Sequence, residues 1–413
     1  MSEITLDDIR ARDAADPLKE FRDRFVIPDG VIYLDGNSLG CLPKDTPVRV
    51  NDVVEREWGE DLIRSWNSND WINAPRRVGG KIAELLGANA DEIVAADSTS
   101  INVFKALSAC LQLDSSRSVL LSERGNFPTD VYMMQGLSVL SGGRVTTKLV
   151  EPDEVLNALD ESVAALLLTQ VNYKTGRMRD MKAMTAAAHA KGIPVIWDLS
   201  HSAGAVPVDL NDARADFAVG CGYKYLNGGP GAPAFIFAAQ RHQEAVFPIL
   251  SGWLGHAAPF EFDDAYAPAP GIDRFQCGTP GILGLSALEV GVDLMAEADE
   301  GERRAKSSAL GDLFLALMDE RCGEYGFTPA CPTNAADRGS QVSFTHENGY
   351  AIMQAIIARG VIGDFRAPDI LRFGLAPLYN SFEDVWTAVD TLEDVMKTKA
   401  WQDAEYQNRR AVT

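Results

Sequence analysis

Asp198 and Lys224 are the pair whose types and settings point most directly to chemistry. Asp198 closes an apolar run, Pro194-Val-Ile-Trp-Asp198, and opens a loop of small and polar residues, Leu199-Ser-His-Ser-Ala-Gly204. Lys224, flanked by Tyr223 and Tyr225, follows the next apolar run, Phe217–Cys221, and precedes the glycine cluster Asn227-Gly-Gly-Pro-Gly231. A lysine placed directly after a buried strand loses hydration, which lowers its pKa and leaves an amine able to form a Schiff base. A carboxylate at a neighbouring strand end can keep a pyridine nitrogen protonated, the arrangement that turns pyridoxal phosphate (PLP) into an electron sink. Either residue alone reads more simply as a snorkelling lysine or a loop aspartate. Together, one strand apart, they point to the cofactor.

A phosphate cradle is then expected upstream. Ala96-Asp-Ser-Thr-Ser-Ile-Asn102 combines hydroxyls with the start of a helical pattern over Val103–Leu111. Free N–H groups at a helix N-terminus bind phosphate, although the segment by itself is an ordinary N-cap. Asn126-Phe-Pro-Thr-Asp130 adds an aromatic ring and a second carboxylate. His201 is the histidine of this constellation; His189, His242 and His346 are expected to be solvated, and His256 lies in a Gly-rich loop.

Other motifs carry less. Gly36-Asn-Ser38-Leu-Gly40 matches a hydrolase nucleophile elbow, but Pro43 delays the helix that must follow Ser38, so a Gly-rich turn is the better reading, with a helix expected from Pro43. Gly220-Cys-Gly222 has Tyr225 where a dinucleotide fingerprint needs its third glycine, and Gly79-Gly-Lys81 lacks the rest of a Walker loop. The cysteines at 41, 110, 221, 277, 322 and 331 form no Cys-x-x-Cys and no metal-ligand spacing, so no metal site and no disulfide framework is expected.

These residues need a scaffold. Short apolar runs at Ser118–Ser122, Val163–Thr169, Pro194–Asp198, Asp216–Cys221 and Ala234–Ala238 read as buried strands, with Met181–Lys191 as a crossover helix. Strand–helix alternation predicts a mainly parallel α/β sheet. Beyond Ile282 the pattern changes. Leu285, Leu288, Val292 and Met295 share one helical face, as do Val385, Val389, Leu392 and Met396 behind an N-cap at Ser381, and strand candidates at Ser340–Phe344 and Ile370–Phe373 lie between. This predicts a large domain over 71–281, a smaller α+β domain over 282–413, and an N-terminal segment, 1–70, packing with the small domain. The 413 residues carry a net charge of −21, which disfavours nucleic acid and anionic membrane as partners. An acidic N-terminus without an apolar core, and no run near the ~20 residues of a membrane span, predict a cytoplasmic protein.

Six segments together resemble the kynureninase family: Tyr33-Leu-Asp-Gly-Asn-Ser-Leu-Gly40, Asn126–Asp130, Val171-Asn-Tyr-Lys-Thr-Gly176, Trp197–Gly204, Gly222-Tyr-Lys-Tyr-Leu-Asn-Gly-Gly-Pro-Gly231 and Arg372-Phe-Gly-Leu-Ala-Pro-Leu-Tyr379. The resemblance implies the PLP-dependent aspartate-aminotransferase fold, with a seven-stranded, mainly parallel sheet in the large domain. It implies hydrolysis of the Cβ–Cγ bond of L-kynurenine, and of its 3-hydroxy derivative, to anthranilate (or 3-hydroxyanthranilate) and L-alanine in tryptophan catabolism. Lys224 would bond the cofactor and shuttle a proton, and Asp198 would pair with the pyridine nitrogen, with Asp130 near it. Tyr223 would be catalytic as well as a phosphate ligand beside Thr99 and Ser100, and Phe127 would stack on the ring. Pro128, Thr129, Thr169 and His201 would complete the cofactor site, with Trp253 and Thr279 reaching in from the second subunit of a homodimer. Arg372 would grip the substrate's α-carboxylate bidentately, and Trp66 and Ser38 would border its aryl ring. Gln170 departs from the histidine often found before Val-Asn-Tyr. The nearest rival of the same fold, a cysteine desulfurase, would need a mobile catalytic cysteine, for which Cys331 is the one candidate.

Overall fold

The structure is a computed structural model that describes residues 4–408. Its centre is a seven-stranded sheet in the order Ile93–Ala95, Phe235–Ala238, Phe217–Gly220, Val195–Asp198, Val163–Thr169, Val119–Glu123, Thr146–Val150. Phe235–Ala238 runs antiparallel to both its neighbours, and the other pairings are parallel. The central strands are apolar and fully buried, as covering both faces with helices requires. The crossover helix after Val163–Thr169 is Met181–His189. Because the parallel strands end at one edge, the segments after Ala95, Glu123, Thr169, Asp198 and Gly220 converge there, where open α/β sheets bind ligands. The edge strands Ile93–Ala95 and Thr146–Val150 complete the sheet beyond the five runs read from the sequence.

A second, four-stranded antiparallel sheet has the order Thr328–Pro329, Gln341–Thr345, Ile370–Gly374, Asp364–Arg366. Its core gathers Leu310, Phe314 and Leu317 of helix Glu300–Cys322 with Val385, Val389 and Leu392 of helix Phe382–Thr398, which Ser381 closes with a capping box. Helix Ile282–Glu297 instead sends Leu285, Leu288 and Val292 into the core of the large sheet. The change of core therefore falls between that helix and Glu300–Cys322, not at residue 281. A Cβ on Gly291 would lie 2.1 Å from the Leu226 carbonyl, so glycine permits this helix its close approach to the lysine loop.

The N-terminal segment divides between the two cores. Ile9 and Leu34 join the small-domain core, whereas Leu18 and Phe25 join the large one. Asp13 accepts hydrogen bonds from the Phe382 and Glu383 N–H groups at 2.7 and 2.9 Å, and strand Ile32–Tyr33 pairs with Val361–Ile362. Pro43 does not open a helix. With Leu42 it forms a short strand against Phe25–Val26, and the helix starts at Asp45, because pairing with residues 25–26 fixes an extended backbone there.

The histidines expected in solvent are largely enclosed. His189 and His242 each place Nε2 2.7 Å from a carboxylate oxygen of buried Asp216, which also accepts from the Val195 N–H. Burial raises the Asp216 pKa, but the hydrogen bonds outweigh it and hold the carboxyl well below its usual range. His346 is buried, with Nε2 3.0 Å from the Tyr325 carbonyl oxygen. Among the described residues no helix is long and apolar enough to cross a membrane.

Candidate active site

A cavity of about 250 Å³ opens at the convergent strand edge. Asp97, Ser98, Thr99 and Ser100 line one side of it, Phe127, Thr129, Thr169 and Tyr173 another, and Asp198, Ser200, His201, Tyr223 and Lys224 the floor and far wall.

The first side is the N-terminus of helix Thr99–Leu113, with Ser98 as its N-cap. Asp97 adopts a left-handed backbone, φ 53°, and its carboxylate pairs with buried Lys105, which fixes the turn into the helix. The Thr99 hydroxyl is buried without a hydrogen-bond partner among the described residues. A helix N-terminus with an unsatisfied hydroxyl is suited to hold a phosphate.

The floor carries the charge. Asp198 accepts the Ser200 N–H at 2.8 Å. Asp130, in the first turn of the helix that Pro128 begins, is fully buried, and among the described residues neither of its oxygens accepts a hydrogen bond, although Asn126 and Thr169 lie alongside. Burial pushes the pKa of both carboxyls up, and for Asp130 the neighbouring Asp198 carboxylate adds to it. Two buried carboxyls with one set of unfilled acceptors need a proton or a cation between them.

Lys224 is 8% exposed, and its Nζ lies 3.0 Å from His201 Nε2 and 5.7 Å from the centre of the Phe127 ring. Burial and then the lysine charge push the His201 pKa well down, so the ring is neutral, and its Nδ1 has no hydrogen-bond partner among the described residues. Burial raises the Tyr223 pKa, keeping this phenol protonated beside the lysine. The turn over Gly36–Gly40 closes on this loop. The Gly40 N–H donates to the Tyr223 carbonyl at 2.8 Å, and a Cβ on Gly40 would stand 2.3 Å from the Lys224 carbonyl.

Arg372 approaches from the small sheet. It is 1% exposed, and its Nε and Nη2 both bond Asp364, at 2.7 and 2.5 Å. Nη2 also donates to Ser38 Oγ at 2.8 Å, and Nη1 to the Tyr173 carbonyl at 2.6 Å. Ser38 is therefore engaged by arginine rather than activated as a nucleophile.

Among the residues singled out from the sequence, Thr99, Ser100, Phe127, Thr129, Thr169, Asp198, His201, Tyr223 and Lys224 line one cavity. Asp130 lies behind it, and Pro128 serves as the first residue of the helix. Ser38, Trp66, Trp253, Thr279 and Arg372 do not line it within one chain. Trp66 packs edge-on against Trp71, Trp253 is 39% exposed against Phe260, and Thr279 borders a neighbouring cavity that shares Asp97 and Gly231 with the first. Gln170 is buried beside Asp198, whose carbonyl accepts its N–H at 3.1 Å. Sequence reasoning missed Tyr173, Ser200, Asp364 and Arg366 as site residues. Tyr173 lies within the Val171–Gly176 segment, which was its signal; its ring meets Phe127 edge-on at 5.2 Å.

A mainly parallel sheet that presents a buried lysine, a carboxylate pair and a helix N-terminus at one edge defines the class, and solved structures agree. A cysteine desulfurase of Escherichia coli superposes with a TM-score of 0.77 at 19% identity, over 92% of this chain and 98% of its own. A mutant of the enzyme C-DES with glycine covalently linked to the PLP cofactor gives 0.79 at 16% identity, over 90% and 99%. The fold is that of the fold type I PLP enzymes. The chain belongs to the kynureninase family: it is 50% identical to a kynureninase of Burkholderia mallei, over 99% of this chain and 100% of that one, and 48% identical, with the same coverage, to a kynureninase of Pseudomonas fluorescens. The family profile "Kynureninase C-terminal domain" matches residues 304–392. Despite the desulfurase neighbours, Cys331 is buried in the small-domain core, where burial raises its thiol pKa, and it is no mobile nucleophile.

Proposed function

We propose that this chain hydrolyses the Cβ–Cγ bond of L-kynurenine, giving anthranilate and L-alanine, with PLP held in the cavity at the strand edge. The observation that carries the reading is the buried Asp130–Asp198 pair, in which both Asp130 oxygens lack a hydrogen-bond donor among the described residues, one strand from Lys224 and below a helix N-terminus with an unsatisfied hydroxyl. These vacant acceptors and donors suit a group that is cationic at one end and phosphorylated at the other. Family membership at 50% identity over the whole chain supports the substrate.

When bound, PLP supplies an electron sink for negative charge at the substrate's α-carbon. Asp198, backed by Asp130, would keep the pyridine nitrogen protonated. Thr99, Ser100 and Tyr223 would hold the phosphate against the −21 charge of the whole chain. Phe127 would stack on the ring, and Thr129, Thr169 and His201 would fix its edges. Lys224 Nζ takes and returns the α-proton, with neutral His201 at 3.0 Å steadying the amine. Tyr223, held protonated by burial, is a donor suited to returning a proton to the substrate's β-carbon. Water contributes the hydroxyl that converts the γ-ketone into the carboxylate of anthranilate.

The working unit would be a homodimer in which Trp253 and Thr279 of a second copy complete the site and Trp66 borders the aryl ring. The exposed side chains of Phe247, Ile249, Trp253, Phe260 and Phe262 support a covering partner there. The enzyme would act in the cytoplasm, in tryptophan catabolism. Adding L-kynurenine to PLP-loaded protein and following anthranilate fluorescence tests the reading. Rapid release, faster than from 3-hydroxykynurenine run alongside, is the expected result. No anthranilate from protein that carries PLP would refute the substrate.

A further inference from the structure

Arg366 stands beside Arg372 in an arrangement that stability alone does not require. Strand Asp364–Arg366 pairs with Ile370–Gly374 so that Asp364 faces Arg372, and Arg366, two residues on, lies on the same face. Both guanidinium groups reach the same oxygen, Asp364 Oδ2, at 2.5 Å each. Ser38 Oγ accepts from both, at 2.8 Å from Arg372 and 3.1 Å from Arg366, and donates to Asp364 at 3.2 Å.

Arg372 has little left to offer a ligand. Its Nε and Nη2 are engaged by Asp364 and Ser38, and one Nη1 N–H by the Tyr173 carbonyl. A single Nη1 N–H remains, too few for the bidentate grip that a carboxylate prefers. Arg366 is the complement. Among the described residues its Nε is buried without a hydrogen-bond partner and its Nη1 makes no hydrogen bond, and its side chain is 37% exposed. Its charge acts on both His201 and Tyr223, which line the cavity.

Charge balance points the same way. Two guanidinium groups share one fully buried carboxylate, which leaves positive charge over. Asp35, 3.9 Å from Arg372, does not fully cancel it, because burial and the Asp364 carboxylate push its pKa up to about 7. An incoming anion would.

We propose that Arg366 is a second substrate-binding cation, which shares the α-carboxylate with Arg372 through its free Nη1 and makes the site selective for α-amino acids over the corresponding amines. The proposal rests on the kynurenine-hydrolase reading for its substrate, and its test is arranged to separate the two.

The test uses the PLP-loaded enzyme with Arg366→Gln and Arg366→Lys. Dissociation constants are read from the cofactor's absorbance for L-alanine and for the decarboxylated amine of kynurenine, which has no carboxylate to bind. Arg366→Gln is expected to weaken L-alanine at least about tenfold and to leave the amine within about twofold, with Arg366→Lys between wild type and Arg366→Gln. Equal losses for both ligands would mark Arg366 as a brace on Asp364 and overturn the proposal, as would an unchanged L-alanine constant. Should Arg366→Gln fail to fold, Arg366→Lys gives the same contrast at smaller amplitude. A wild-type protein that binds L-alanine in an Arg366-dependent way yet leaves kynurenine intact would refute the kynurenine reading and keep this one.

Discussion

Lys224→Ala is expected to lower turnover of L-kynurenine by about four powers of ten while the protein stays folded. Among the described residues that line the cavity, the lysine is the one that can both bond an aldehyde and carry a proton. Nζ bonds His201 and faces aromatic rings without a hydrogen bond to Asp130 or Asp198, so the substitution breaks no bonded ion pair, and the two buried carboxyls, whose pKa the lysine charge lowers, respond by holding their protons more tightly. Borohydride reduction should fix PLP to the wild-type peptide containing Lys224 and leave the variant unlabelled. A variant that kept its label and its turnover would remove Lys224 from the chemistry.

Arg372→Ala is expected to lower kcat/KM by roughly a hundredfold to a thousandfold, most of it through KM, as loss of a charge-assisted carboxylate contact worth about 3–4 kcal/mol implies. It also strips fully buried Asp364 of its bidentate partner and leaves it only Arg366 and Ser38 among the described residues, which costs about 1–3 kcal/mol of stability. Arg372→Lys separates these effects. It keeps a charge near Asp364 and restores most of the melting temperature, yet cannot span Asp364, Ser38 and the Tyr173 carbonyl as a guanidinium does. KM should therefore stay high in Arg372→Lys. A normal KM in the alanine variant would place the substrate carboxylate elsewhere.

What the sequence disclosed follows from the range of the interactions involved. Val163–Thr169 and Val195–Asp198 are legible because a strand covered on both faces must be apolar throughout, and the turn residues after them mark the ligand edge. Thr146–Val150 is an edge strand whose residues are only partly buried, so it lacks that signature, and Ile93–Ala95 is too short to show one. Helix Glu300–Cys322 buries Arg303 and Lys306 on its inner face, which spoils the apolar stripe. Lys306 is tolerated there because Asp16, almost three hundred residues away, pairs with it at 2.6 Å. Asp216 likewise draws His189 and His242 out of solvent from separate segments. Asp364 and Arg366 stand in a sequence as ordinary surface charges. Only the antiparallel register that sets Asp364 across from Arg372 gives them a role. Asp198 and Lys224 could be read because each directly follows its own strand, so local pattern and function coincide.

Hydrolysis across the Cβ–Cγ bond is the central claim, and the source of the oxygen in the product tests it most directly. L-Kynurenine turned over by the PLP-loaded protein in ¹⁸O-enriched water, with both products analysed by mass spectrometry, should give anthranilate carrying one solvent oxygen in its carboxylate. It should also give an equal amount of L-alanine without label. Anthranilate absent, or formed without solvent oxygen, would contradict the account.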